Sequence, residues 1–215
     1  MLAVARAQPG LAVFTLAYLG GFLAFGMVIG SELTVPYAIL ITILILVVTA
    51  VHRRVDLGRG VLWGLSVWGL VHLAGGTIPF SGERTLYNVF LLPGELLRYD
   101  QAVHAFGFGF ATMACGKVIK GWLPQRRLPL GAVVIVVLAG MGVGALNEIF
   151  EFVATLVLED TNVGGYTNTS WDLVADLVGA MAAAVWLTSR PVAAQAEVEP
   201  EPLHTMGGHG PAHHP

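Results

Sequence analysis

Apolar residues gather along the chain in six runs, at residues 11–30, 36–51, 60–78, 101–119, 129–157 and 171–188. A bilayer core of about 30 Å is crossed by about 20 helical residues, so the runs predict six transmembrane helices. The second, at 36–51, is short, and tilt or local thinning of the bilayer would accommodate it. The fifth, at 129–157, is long enough to project beyond the hydrocarbon by about two turns. The expected fold is all-α, a polytopic membrane helix bundle.

Composition agrees with that pattern. Of 215 residues, 55% are hydrophobic and 12% charged, against about 25% charged in a soluble domain. The net charge of -3 says little about partners, and without a basic patch a nucleic-acid partner is excluded. The lone Cys115 lies in an apolar run, makes no internal disulfide and reads as a small core residue. The first run lacks an evident cleavage site and reads as a retained helix, and no lipidation box is present.

The loops add direction. Arg6, Arg53, Arg54, Arg59, Lys117, Lys120, Arg126, Arg127 and Arg190 fall on one side, whereas Arg84 and Arg98 fall on the other. The positive-inside rule then places both termini in the cytoplasm, an N-in/C-in topology. The loops "SELTVP", 79–99 and "LEDTNVGGYTNTS" would face outward. Residues 1–190 form the expected six-helix membrane domain. Residues 191–215, acidic and then rich in Gly, Pro and His, read as a disordered cytoplasmic tail, with His204, His209, His213 and His214 solvated rather than ligating. No internal repeat stands out.

Against this apolar background the ionisable residues are few and concentrated. Measured at 1.5 Å per residue from the basic end of each helix, His72 and His104 come out about 20 Å away, and Asp176 about 21 Å. Asp100 and Asp172 come out at about 26 Å and Glu148 at about 31 Å. Asp100 and His104 are four residues apart, as are Asp172 and Asp176, while Glu148 and Glu151 are three apart with Asn147 one turn before Glu151. Each pair therefore shares a helix face. An ionised acid facing lipid costs roughly 2.5–3.5 kcal/mol near the bilayer centre, so the faces are expected to turn inward, toward one another and His72. Individually each residue has a plain reading: Glu148 and Glu151 in interfacial water, Asp172 at a helix N-terminus, His72 as a core histidine, Ser170 as a cap. Their convergence at one depth points instead to one site.

Carboxylates crowded together repel one another unless protonated, paired or neutralised by a cation. An oxygen-rich set with one or two imidazoles suits a divalent metal, Mg²⁺, Mn²⁺, Ca²⁺ or Zn²⁺. The expected ligands are Asp100, His104, Asp172, Asp176 and His72. Glu148 and Glu151 are the expected catalytic bases.

At the same residues, "YDQAVHAFGFGF", "NEIFEF" and "YTNTSWDLVADLVGA", in this order, resemble the YjdF-like family of bacterial inner-membrane proteins over about residues 79–185. Asp100, His104, Glu148, Glu151, Asp172, Asp176 and Gly179-Ala180 match the family pattern. Val103 and Ala105 depart from it around the histidine. A weaker similarity links the chain to VanZ-like membrane proteins. The resemblance implies a six-helix, multi-pass protein of the bacterial inner membrane and, through VanZ, an association with the cell envelope.

Three functions fit this reading. The first is a metal-dependent hydrolase or transferase with a site open to the outer leaflet, acting on a lipid or lipid-linked substrate. The second is a cation or proton transporter, or a transport accessory protein. The third is a structural membrane protein whose polar cluster only fixes helix packing. Membrane lipids are the expected partners in all three, and oligomeric state is not legible.

Overall fold

The computed structural model describes residues 6–31, 33–82, 84–123, 128–158, 161 and 164–189. Six long helices account for nearly all of them: α1 Pro9–Val28, α2 Thr34–Arg54, α3 Gly58–Thr77, α4 Tyr99–Trp122, α5 Leu130–Val157 and α6 Tyr166–Ser189. Arg126, Arg127, Arg190 and the tail 191–215 lie outside the described residues.

Local chemistry sets the helix ends. Pro9 opens α1 at a position where its missing N–H is no loss. His52, Arg53 and Arg54 close α2, where positive charge suits the carbonyl end of the helix dipole. These three residues, with Thr34 and Val35 at the other end, extend the helix beyond the apolar run, so α2 has 21 residues and is not short. Gly58, at φ 73°, supplies the left-handed turn into α3.

Between α3 and α4 the chain departs from the all-helical expectation. Pro79–Ser81 and Arg84–Thr85 pair as an antiparallel β-ribbon, followed by 3-10 turns at Leu86–Asn88 and Pro93–Glu95. With strands of only three and two residues, no alternating pattern develops to signal them.

Helix directions follow from side-chain contacts. Phe14 meets Trp63, and Thr15 and Ser66 share a hydrogen bond at 2.6 Å, so α1 and α3 run parallel. On α3, Trp68 packs on Phe108, while Gly58 lies near Lys117, so α4 returns antiparallel. His104 meets Asp176, and Gly116 meets Leu187, so α4 and α6 run parallel. Between them α5 runs antiparallel, with Gly140 against Thr112 and Gly144 against Asp176. The starts of α4 and α6 and the end of α5 thus share one end of the bundle, the end that carries the β-ribbon.

Glycine lets the three helices close. A Cβ on Gly109 would lie 3.2 Å from the Gly179 carbonyl oxygen, and one on Gly179 would strike the backbone of Ala105. Close approach through small residues is how membrane helices gain contact where lipid offers no hydrophobic drive. The periphery is apolar, with Leu16, Val28, Ile39, Leu138, Phe150 and Val178 all well exposed, as a lipid-facing surface requires.

Five of the six helices, all but α3, are long and apolar enough to cross a membrane. α3 has the length, but it is rich in glycine and carries Trp63, Trp68 and His72. It buries much more of itself than α1 or α2 does, being packed against α1, α2 and α4. A helix so enclosed does not need a lipid-compatible surface all round.

Candidate functional site

Three helices supply the charged groups, each as a pair on one face: Asp100 and His104 from α4, Glu148 and Glu151 from α5, Asp172 and Asp176 from α6. His104 stands at the centre. Its Nδ1 lies 3.0 Å from Asp176 Oδ1 and 3.8 Å from Glu148 Oε1, and its Nε2 lies 3.8 Å from Asp100 Oδ1. Asp172 and Asp176 are 0% exposed, His104 2% and Glu148 7%. Asp100 and Glu151 are partly buried.

Amides bridge part of this charge. Asn168 donates to Asp172 Oδ2 at 2.5 Å and to Asp100 Oδ2 at 3.2 Å, and its carbonyl oxygen accepts from Arg98 Nη1 at 3.0 Å. Asn147 donates to Glu151 Oε1 at 2.8 Å. The donors then run out. Both oxygens of Glu148, Oδ1 of Asp172 and Oδ2 of Asp176 are buried without a hydrogen-bond partner among the described residues. A buried ionised carboxylate left unpaired costs several kcal/mol, so these oxygens call for protons or a cation.

The geometry suits a cation. Ligand atoms of Asp100, His104 and Asp172 lie within 4.8 Å of one another, as do those of His104, Glu148 and Glu151. Two ligands on opposite sides of one ion, each at about 2.0–2.6 Å, span a similar distance.

His72 belongs to neither set. The Tyr87 hydroxyl sits 2.7 Å from His72 Nδ1 and 2.9 Å from the His72 carbonyl oxygen. The rings of Tyr37, Trp68 and Tyr87 surround the imidazole at centroid distances of 5.5–5.8 Å. Its Nε2 is buried without a hydrogen-bond partner among the described residues. Ser170 lies inside α6 and donates to the Tyr166 carbonyl at 2.8 Å, so it does not cap the helix.

Sequence reasoning missed two contributors. Asn168 stood in what reads as a loop, because the apolar run begins only near Trp171; α6 in fact starts at Tyr166, and Asn168 is one turn before Asp172. Gly144 was one glycine among many in "LAGMGVG", yet a side chain there would occupy the place of Asp176 Oδ2. The spacing of Asn168 from Asp172 was a usable signal, whereas nothing in the sequence distinguished Gly144 from Gly142.

Comparison with curated proteins and with solved structures gave no match. A family model described as "Predicted membrane protein (DUF2238)" matches residues 10–191. The match runs from α1 through α6 and includes every residue of the acidic cluster. The chain is therefore a member of the DUF2238 family of predicted membrane proteins.

Proposed function

We propose that this multi-pass protein resides in the bacterial inner membrane and binds a divalent cation in its acidic/His cluster. In this reading it is a metal-dependent hydrolase or transferase acting on a lipid or lipid-linked envelope substrate. The observation that carries the proposal is the set of buried carboxylate oxygens around His104 without a hydrogen-bond partner among the described residues. The motif resemblance to YjdF-like and VanZ-like proteins supports the location and the envelope association.

The contacts of His104 assign the roles. An ionised carboxylate only accepts, so Asp176 Oδ1 at 3.0 Å holds the proton on Nδ1. With a cation bound the imidazole would be neutral, and its Nε2, on the Asp100 side, would be free to ligate. Asp100, His104 and Asp172 are the proposed ligands, and Asp176 orients the imidazole, the common carboxylate–histidine–metal arrangement. Glu148 and Glu151 remain for proton transfer, with Asn147 holding Glu151. His72, occupied by Tyr87, is not a ligand in this reading. A ligand set mixing imidazole with carboxylates favours Mn²⁺ or Zn²⁺ over Mg²⁺ or Ca²⁺. Such an ion polarises a phosphoryl or acyl oxygen and activates water.

A transporter needs a polar route onward to the far end of the bundle. Beyond the cluster, the seam of α4, α5 and α6 offers Gly109, Gly140, Gly116 and the buried Thr112, whose hydroxyl is spent on the Phe108 carbonyl at 2.6 Å. That favours the enzyme reading.

The test is metal analysis of purified protein, with melting measured under each of the four ions and under chelator. Binding to the folded state alone raises Tm. The correct ion should raise it, and Asp172→Asn should remove the shift. Metal-free protein indifferent to all four ions would sink the proposal, and would leave the cluster a packing device.

A further inference from the structure

Arg98 sits at the edge of the acidic cluster without pairing to it. It precedes α4, two residues before Asp100. Its only side-chain hydrogen bond among the described residues goes to the neutral amide oxygen of Asn168, and it makes no ion pair. A guanidinium offers five N–H donors and pairs best with carboxylate or phosphate in a two-point geometry. Were its task to neutralise the acids, direct pairing with a carboxylate would serve better. The Asn168 amide instead stands between the two signs of charge, its NH2 on Asp100 and Asp172 and its oxygen on Arg98.

The segment leading to Arg98 carries an exposed apolar tip. Phe90 and Arg98 face each other across an antiparallel bridge, flanked by hydrogen bonds from Leu91 N to Leu97 O at 2.7 Å and from Tyr99 N to Val89 O at 2.8 Å. The closed loop turns through Gly94 and Glu95, both at positive φ. Around that turn Leu91, Leu92 and Leu96 are 46%, 50% and 76% exposed. The Arg98 guanidinium lies over the Phe90 ring at 5.3 Å. Three exposed leucines on a loop joining two membrane helices are stable in contact with acyl chains and costly in water. Leu92 is two residues from Phe90, over whose ring the guanidinium lies, so the apolar tip and the arginine belong to one small loop.

We infer that Arg98 is the phosphate-binding residue of this site, and that its ligand is a lipid-borne phosphate brought within reach by the apolar loop around Leu92 and Leu96. The inference rests on the cation reading proposed above and names its substrate class. The neighbouring carboxylates repel an anion, and a bound divalent ion reverses that repulsion. Phosphate and metal therefore strengthen each other's binding by the same factor.

The test uses full-length protein in a non-ionic detergent, with binding followed by thermophoresis, with and without the ion that raises Tm. The probes are short-chain phosphatidic acid, the diacylglycerol with the same chains, and inorganic phosphate. Phosphatidic acid should bind tightest, and at least about tenfold more tightly with the ion present. Diacylglycerol should bind at least about tenfold more weakly, having nothing for the guanidinium to hold. Arg98→Gln should weaken phosphatidic acid about tenfold or more while still melting cooperatively, and Arg98→Lys should recover part of the loss. Leu92→Ser with Leu96→Ser, neither of which contributes a polar group to the cluster, should weaken phosphatidic acid but leave inorganic phosphate unchanged. Equal affinity of folded Arg98→Gln and wild type for phosphatidic acid overturns the inference. So does equal affinity for diacylglycerol. Equal binding of inorganic phosphate and phosphatidic acid, unaffected by the leucine substitutions, would identify a free phosphate ligand and overturn the lipid assignment. Arg98-dependent binding in a protein with no response to any divalent ion would keep the arginine's role and remove the cation reading instead.

Discussion

His104 Nδ1 and Asp176 Oδ1 lie 3.0 Å apart, joining α4 to α6 across 72 positions of sequence. This is the shortest contact the imidazole makes with an acid, and it fixes which nitrogen faces Asp100. Asp176→Asn keeps the shape and an acceptor oxygen but removes the charge that holds the proton on Nδ1. Loss of an orienting carboxylate typically lowers metal affinity about 10- to 100-fold. The expected result is a weakened but saturable ion-induced Tm shift, against its complete loss in Asp172→Asn. Without metal, Asp176→Asn should melt no lower than wild type, since one repelling charge is gone. Equal, total loss in both variants would make Asp176 a ligand in its own right.

A methyl group on Gly144 would collide with Asp176 Oδ2, whereas nothing lies within 4 Å of the same position on Gly142. The two glycines are on one helix, two residues apart, and form a matched pair. Gly144→Ala should destabilise by about 1–3 kcal/mol through forced displacement of a fully packed neighbour. Gly142→Ala should be close to neutral. Chemical or thermal unfolding in the same detergent compares them, and similar costs would mean that Asp176 has room to move.

Tyr87→Phe keeps the ring between His72 and Tyr99 but removes the hydroxyl that serves His72 Nδ1. The buried imidazole would be left with neither nitrogen bonded, at a cost of about 1–3 kcal/mol. Burial raises the Tyr87 phenol well above its ordinary range. A phenol held neutral in the folded state but ionising when unfolded favours unfolding once pH passes its ordinary value near 10. The advantage of wild type over Tyr87→Phe should therefore be constant up to about pH 9 and shrink above pH 10. A gap that widens with alkaline pH would contradict the burial of that hydroxyl.

Asp56 and Tyr166 are highly exposed, at 85% for the Asp56 side chain and 88% for Tyr166, and lie at opposite ends of the bundle. In a Cys115→Ser background, Tyr166→Cys should react with an impermeant thiol reagent on intact cells and Asp56→Cys only after lysis. This follows from the basic loops and the positive-inside rule. The reverse pattern would place the cluster at the cytoplasmic face and exclude a substrate from the outer leaflet.

The helices were legible because lipid imposes a plain demand: a surface touching acyl chains must be apolar over about 20 residues. The convergence of Asp100, His104, Glu148, Glu151, Asp172 and Asp176 was legible because charge is scarce in such a chain and helical rise converts sequence distance into depth. Where those demands lapse, the reading lapses too. α2 and α6 continue past the hydrocarbon into "HRR" and "YTNTS", where nothing requires apolar residues, so hydropathy misplaced their ends. Asn168 was lost with the first turn of α6. The β-ribbon was invisible because its strands are too short to show a pattern. The separation of His72 from the cluster depends on Tyr87, which lies in the connecting segment and not in any apolar run.

At Gly179 the main chain of α6 presses on the main chain of α4 at Ala105, with no side chain between them. Side chains can swing aside to let two helices slide, but touching backbones leave nothing to swing. That contact fixes the register of α4 against α6, and with it the placing of Asp100 and His104 beside Asp172 and Asp176. α5 meets α4 and α6 through Thr112 and Asp176 side chains, which yield more easily. The softer contact of the cluster is therefore the one toward α5, the wall that carries Glu148 and Glu151.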